Sequence, residues 1–146
     1  MLRMSEFKLT TEGIRYIALF ESLTGGMARD CVVDEDNDRI IFVIKKGDMV
    51  ADIGRKGSNI NLVKKSIGKQ IEIVEYSDNV NEFLENLFQP ASIKNVSVVN
   101  KNNKRLAYVE VANKDKGIAI GRDGRNILKA KMLAQRHHGV DDIIIQ

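Results

Sequence analysis

The chain has 146 residues, which suffices for one ordinary domain or two very small ones, and its 43% apolar and 29% charged residues exclude a disordered protein. No apolar run approaches the roughly 18 residues of a membrane-spanning helix, residues 1–6 lack a secretory core, and the single cysteine, Cys31, excludes an internal disulfide. We therefore expect a cytoplasmic protein with no membrane partner. The net charge of +3 is only a weak sign of an anionic partner.

The first half of the sequence predicts six elements in the order helix, strand, strand, helix, helix, strand. Thr10 or Thr11 can cap the first helix, which reaches Leu23 and ends at Gly25. The predicted elements that follow are strands at 29–34 and 39–45, a short helix at 48–53, a helix after Gly57 with Ile60, Val63 and Ile67 on one stripe, and a strand at 70–75.

The second half predicts the same order. The elements are a helix at 80–88 closed by Pro90, strands at 93–99 and 105–111, helices at 115–120 and 125–137, and a strand at 141–146. Each half is therefore expected to form an α+β unit (an α/β sandwich), with a three-stranded sheet packed on helices. We place the domains at residues 1–77 and 78–146.

A motif repeats at the same place in both halves. Residues 53–60 read I-G-R-K-G-S-N-I and residues 120–127 read I-G-R-D-G-R-N-I, so six of eight positions are identical at an offset of 67 residues. The offset is close to half the chain and points to a duplicated small domain, since a solenoid would need more copies. Cations collect around both motifs: residues 54–69 contain five and no acid.

A Gly-x-x-Gly between two helices suits a phosphate backbone. Glycine has no Cβ, so a polyanionic strand can approach the main chain, and the free N–H groups of the following helix favour phosphate. One such motif is a weak signal, but here it is duplicated in the same element order. The I-G-R-x-G-x-N-I strings resemble the KH family, and the α-β-β-α-α-β order looks like its type II fold. Segments 31–36, 39–43, 46–49 and 53–59 are similar to the short archaeal NusA-like proteins, whose bacterial counterparts carry further domains.

The resemblance implies that single-stranded RNA lies against both loops. It implies a role in transcription termination or antitermination, with RNA polymerase as a possible partner. Gly54, Gly57, Gly121 and Gly124 would admit the backbone, and Arg55, Lys56 and Arg122 would neutralise phosphates. The other implied RNA-binding residues are Asn59, Lys64, Lys65, Asp123, Arg125 and Lys129.

The residues around the loops suggest how the two sites differ. Arg125, Lys129 and Arg136 have the spacing of one helix face and predict a basic ridge; solubility alone is the alternative role for the helix lysines. Asp123 faces the phosphates, so we predict that the first loop contributes more affinity than the second. Aromatic residues make up only 5%, which leaves aliphatic walls for the bases: Ile53, Ile60, Ile120 and Ile127.

Three other functions compete with this interpretation. Catalysis is not expected, because the sequence has no phosphate-binding loop of the kind found in nucleotide triphosphatases. His137 and His138 project about 100° apart on a helix and have no further metal ligand nearby. We therefore predict no metal and no cofactor. A ribosome-associated or ribosome-assembly KH protein is the alternative within RNA biology. The third is a protein scaffold with unused loops.

Overall fold

The computed structural model describes residues 9–49 and 53–146. They divide into two compact units, residues 9–76 and residues 77–146. This division lies one residue before the boundary that we placed between residues 77 and 78.

The first unit contains one three-stranded sheet and two long helices. Its elements are α1 (Thr11–Thr24), β1 (Ala28–Asp34), β2 (Arg39–Ile44), α2 (Ser58–Ile67) and β3 (Gln70–Glu75). The strand order is β1-β2-β3, with β1 and β2 antiparallel and β2 and β3 parallel. Of the short helix predicted at 48–53, residues 50–52 lie outside the described residues, and Met49 and Ile53 on either side are helical.

Local capping explains the bounds of α1. The hydroxyl of Thr10 accepts a hydrogen bond from the N–H of Gly13 at 2.9 Å, as the sequence predicted. The helix ends at Gly25, which adopts a left-handed conformation with φ 78° and donates its N–H to the carbonyl of Glu21. The chain then turns into β1.

The core of the first unit lies between the sheet and its helices. Strand β2 is buried along its whole length. Phe42 stacks on Phe20 of α1 with ring centroids 4.4 Å apart, and Val63 of α2 belongs to the same buried cluster. Cys31 lies in this core as well, in agreement with a structural role for the lone thiol.

An ion-pair network lies on the other face of β2. Arg39 is fully buried, and its Nε lies 2.7 Å from Oδ2 of Asp34, while a terminal nitrogen lies 3.2 Å from Oε2 of Glu72. Burial by itself would raise the pKa of Asp34, but the hydrogen bonds from Arg39 and Asn37 and the charge of Arg39 outweigh it and lower the pKa. The network joins all three strands of the sheet.

The second unit repeats the topology of the first. Its elements are α3 (Val80–Phe88), β4 (Ile93–Lys101), β5 (Lys104–Val111), α4 (Lys116–Ile120), α5 (Arg125–His138) and β6 (Asp142–Ile145). Strands β4 and β5 are antiparallel, and β5 and β6 are parallel, in the order β4-β5-β6. The α+β architecture is confirmed, and so is the predicted order of the second half and of the described elements of the first.

The hairpin between β4 and β5 is tighter than predicted. We expected a polar turn over residues 100–104, but only Asn102 and Asn103 separate the strands, with φ of 54° and 64°. A two-residue hairpin turn requires positive φ at both central positions, and asparagine tolerates this conformation better than most residues. Both strands therefore extend further than their apolar residues suggested.

Helices α3 and α5 cover the second sheet. The buried side chains of α3 are Phe83, Leu84, Leu87 and Phe88, and those of α5 include Ala130, Leu133 and Ala134. His138 ends α5 with its Nε2 2.8 Å from the carbonyl of Ser77 and its ring 5.2 Å from that of Phe83. No helix within the described ranges 9–49 and 53–146 has both the length and the apolar character to cross a bilayer.

Candidate nucleic-acid interface

The two Gly-x-x-Gly loops have the same backbone conformation. The first glycine has φ/ψ of 76°/176° at Gly54 and 79°/167° at Gly121. Lys56 and Asp123, the third residues, are both left-handed at 54°/30° and 56°/26°. In each loop the second glycine donates its N–H to the carbonyl of the first, at 3.2 Å and 3.1 Å. The sequence repeat is thus also a repeat of geometry.

The two glycines of each loop have different surroundings. A Cβ on Gly54 would lie 2.8 Å from Cγ of Asn59, and a Cβ on Gly121 would lie 2.8 Å from the backbone nitrogen of Asn126. At Gly57 and Gly124 the nearest atoms would be at 3.7 Å, an ordinary contact. The sequence argument treated the four glycines alike, but the first of each pair is required by the chain's own packing.

Each second glycine opens a helix. Gly57 precedes α2 and Gly124 precedes α5, both at φ 75°, and neither helix has a side-chain cap or an acid in its first turn. The first N–H groups of an α-helix have no partner within the helix, and the positive end of its dipole attracts anions. Both loops therefore lead into a position that favours a phosphate.

The side chains between the glycines are exposed in both loops: Arg55 and Lys56 in the first, Arg122 and Asp123 in the second. The first loop carries two positive charges, whereas in the second loop the positive charge of Arg122 lies next to the negative charge of Asp123. The sequence predicted both the exposure and the difference in charge.

Lys64 and Lys65 lie in the last turn of α2 and are exposed. With Ser58, Asn61 and Leu62 they line a shallow groove along that helix. At 1.5 Å per residue they stand about 10 Å along the helix from the loop. Cations at this end also favour the helix dipole, so the position suits both of the roles considered for them.

The basic ridge predicted on α5 is wrong. Lys129 is buried at 8% exposure, and Arg125 and Arg136 are only partly exposed. The physical reason is that Lys129 shares a helix stripe with Leu133, four residues on, which is fully buried. We predicted that Lys129 is exposed because it is charged, but the long aliphatic stem of a lysine can pack within a protein. Most of the Lys129 side chain is therefore part of the packed interior, and its role in RNA binding stays a prediction.

Exposed aliphatic side chains adjoin both loops. Ile53 and Ile120, each directly before a first glycine, are 37% and 43% exposed, whereas Ile60 and Ile127 are partly buried beneath the second glycines. Ile118 and Leu128, at 43% and 51% exposure, add apolar surface beside the second loop that the sequence reasoning missed. Nothing in the sequence indicated that these side chains are exposed, because apolar residues at helical spacing usually belong to the core.

The asparagine of the second motif has a hydrogen bond that the sequence did not suggest. Nδ2 of Asn126, in the first turn of α5, donates to the carbonyl of Ile118 in α4 at 2.6 Å. The equivalent Asn59 packs against Gly54 in the same way that Asn126 packs against Gly121.

Other polar groups lie apart from the loops. His138 stands at the opposite end of α5 from Gly124, about 20 Å along the helix. Burial, followed by the charges of Arg105 and His137, lowers its pKa in spite of the hydrogen bond with Ser77. In the part of the chain that the structure describes, no three His, Cys, Asp or Glu side chains are grouped so that they could hold a metal ion.

The repeated α-β-β-α-α-β units, each with a Gly-x-x-Gly between two helices, define a pair of type II KH domains. The family described as "KH domain" matches residues 14–78, and that described as "NusA-like second KH domain" matches residues 80–144. The chain is also similar to a crystal structure of APE1850, with a TM-score of 0.86 and 38% sequence identity over 94% of this chain and 100% of that chain.

Several relatives carry the name "Probable transcription termination protein NusA". The one from Halobacterium salinarum is 41% identical over 93% of this chain and 96% of its own length. The one from Methanococcus vannielii is 38% identical over 93% of this chain and 78% of its own length. The chain belongs to the NusA family of KH-domain proteins, as its motifs indicated.

Proposed function

We propose that this protein binds single-stranded RNA through both loops and acts as a NusA-type factor in transcription termination or antitermination. The observation that carries the proposal is the repeated geometry: two loops of the same backbone conformation each lead into an uncapped helix with exposed cations beside it. We propose a binding role without catalysis, in the cytoplasm, with RNA polymerase as the protein partner.

The RNA backbone is held at the second glycine of each loop. Gly57 and Gly124 leave their surface open, and the N–H groups of α2 and α5 receive a phosphate there. Arg55, Lys56 and Arg122 neutralise the neighbouring phosphates. Ile53 and Ile120 offer the bases an aliphatic wall next to the backbone site.

Charge reversal in the loops tests RNA binding. The affinity of a labelled single-stranded RNA is measured for the wild type, for Arg55→Asp with Lys56→Asp, and for Arg122→Asp, over a series of salt concentrations. We expect weaker binding and a smaller salt dependence for the loop variants, since each lost phosphate contact lowers the slope of log K against log salt by about 0.7. Lys101→Asp, on the exposed end of β4, is the control. No binding of the wild type to any single-stranded RNA would favour the scaffold alternative.

Co-purification tests the role in transcription. RNA polymerase as the main partner of the full chain would support it, whereas ribosomal subunits would support the ribosome-associated alternative. The names of the relatives favour transcription.

A further inference from the structure

A hydrogen bond from the side-chain amide of Asn126 links the two helices that flank the second loop. Ile118 lies in the last turn of α4, where carbonyl groups lack a partner within the helix. Asn126 supplies that partner from the first turn of α5, at 2.6 Å. The bond therefore joins the end of one helix to the start of the next and brackets the whole Gly-x-x-Gly loop.

The first glycine of the loop packs on the same asparagine. A Cβ at Gly121 would lie 2.8 Å from the backbone nitrogen and 3.0 Å from Cγ of Asn126. At Gly54 the corresponding distances to Asn59 are 2.9 Å and 2.8 Å. The same close packing recurs in two units whose surrounding residues differ, so the glycine and the asparagine form one structural pair in each loop.

The loop needs such support. Lys56 and Asp123 both have positive φ without being glycine. A non-glycine residue keeps this conformation only where its surroundings enforce it. In the second loop, the hydrogen bond from Asn126 to Ile118 fixes the two helix ends relative to each other and so stabilises the positive φ of Asp123.

We infer that Asn59 and Asn126 are positioning residues that hold the loops in their RNA-binding conformation and do not themselves contact RNA. The first glycine and the asparagine form the frame, and the second glycine with the two residues before it faces the RNA. This inference rests on the proposed function, and it assigns Asn59 a role other than the RNA contact that the family resemblance implied.

The first experiment measures the loop in the absence of RNA. The amides of Gly121 and Gly124 donate to the carbonyls of Gly117 and Gly121, at 2.9 Å and 3.1 Å, so their hydrogen exchange, followed by NMR, reports the closed loop. For Asn126→Ala we expect about three- to tenfold faster exchange at these two amides, the value of one lost hydrogen bond, with no change at Leu133 in the core.

Asn126→Asp separates the hydrogen bond from the shape of the side chain. Aspartate is of the same size but cannot donate when ionised, and its charge favours the N-terminus of α5, so folding is retained. The same acceleration as in the alanine variant supports the inference. Wild-type exchange in both variants would overturn it. Asn95→Ala, exposed on β4, is the control and should leave the loop amides unchanged.

The second experiment measures RNA affinity. Asn59→Ala and Asn126→Ala should each weaken binding of a single-stranded RNA about three- to tenfold without changing the salt dependence, because no phosphate contact is removed. Weaker binding by Asn126→Ala with wild-type loop exchange would mean direct contact and would overturn the inference. Faster loop exchange in a protein whose wild type binds no RNA would support the positioning role and reject the proposed function.

Discussion

Lys56 and Asp123 provide a matched pair for a charge exchange. They occupy the same place in the two loops, with φ and ψ equal to within a few degrees, and both are exposed. Substituting Asp123→Lys gives the second loop the charge of the first, and Lys56→Asp does the reverse. The double variant keeps the total charge of the chain unchanged while exchanging the two loops.

The expected size follows from Coulomb's law. A unit charge about 4 Å from a phosphate interacts by about 1 kcal/mol in water, so a reversal of sign changes the energy by about 2 kcal/mol. With a Debye length of about 8 Å at physiological salt, screening leaves about 1.2 kcal/mol. This corresponds to roughly eightfold in affinity. Asp123→Lys should strengthen RNA binding by that factor, and Lys56→Asp should weaken it by a similar one.

Fluorescence anisotropy of a short labelled RNA at physiological salt measures these affinities. The controls are Asp36→Lys, exposed in the turn between β1 and β2, and Lys101→Asp, exposed at the end of β4. Asp123→Lys with no more effect than Asp36→Lys would refute the phosphate placement at the second loop. We also expect Lys56→Asp to cost more affinity than Arg122→Asp; equal losses, or a larger loss from the second, would reject the greater contribution of the first loop.

The remaining predictions concern stability, measured as the free energy of unfolding in urea. Gly121→Ala should cost about 3 kcal/mol, because the new Cβ meets backbone at 2.8 Å and φ is 79°, whereas Gly124→Ala should cost about 1 kcal/mol for its left-handed φ alone. Arg39→Met should cost about 2–3 kcal/mol, since it leaves two carboxylates without their buried cation. The lowered pKa of His138 means that the unfolded chain binds the proton more tightly, so stability should fall as the pH drops below 6.5 and level off below the folded pKa; His138→Gln should reduce this slope.

Each stability prediction has a result that contradicts it. Equal losses at the two glycines would mean that the close contact at Gly121 relaxes without cost. An Arg39→Met variant as stable as the wild type would show that the ion pairs contribute nothing beyond packing. The same pH slope with and without His138 would assign the titration to another group.

Much of the fold could be predicted from local patterns. The cap at Thr10, the alternating strand at 70–75 and the helix at 80–88 depend on neighbouring residues, and the structure has them where the sequence indicated. The repeated motif located both loops, since glycine at fixed spacing is a property of the sequence itself. These features need no knowledge of distant contacts.

Other features depend on contacts that the sequence does not display. The burial of Lys129 follows from how α5 lies on its surroundings, and its charge alone pointed to solvent. The bond from Asn126 to Ile118 depends on the angle at which two helices meet, and the different surroundings of the two glycines follow from the same geometry. A pattern of residue types carries no information about that angle.

The last strand of each unit pairs in parallel with the middle one: β3 with β2 and β6 with β5. A growing polypeptide can therefore finish the first sheet once Glu75 has been added, while the second must wait for residues 142–145. At about 5–20 residues per second, translation of the intervening residues separates these events by roughly 3.5–14 s. During that interval the nascent chain has every strand of the unit that contains the first loop, but it still lacks the last strand of the unit that contains the second.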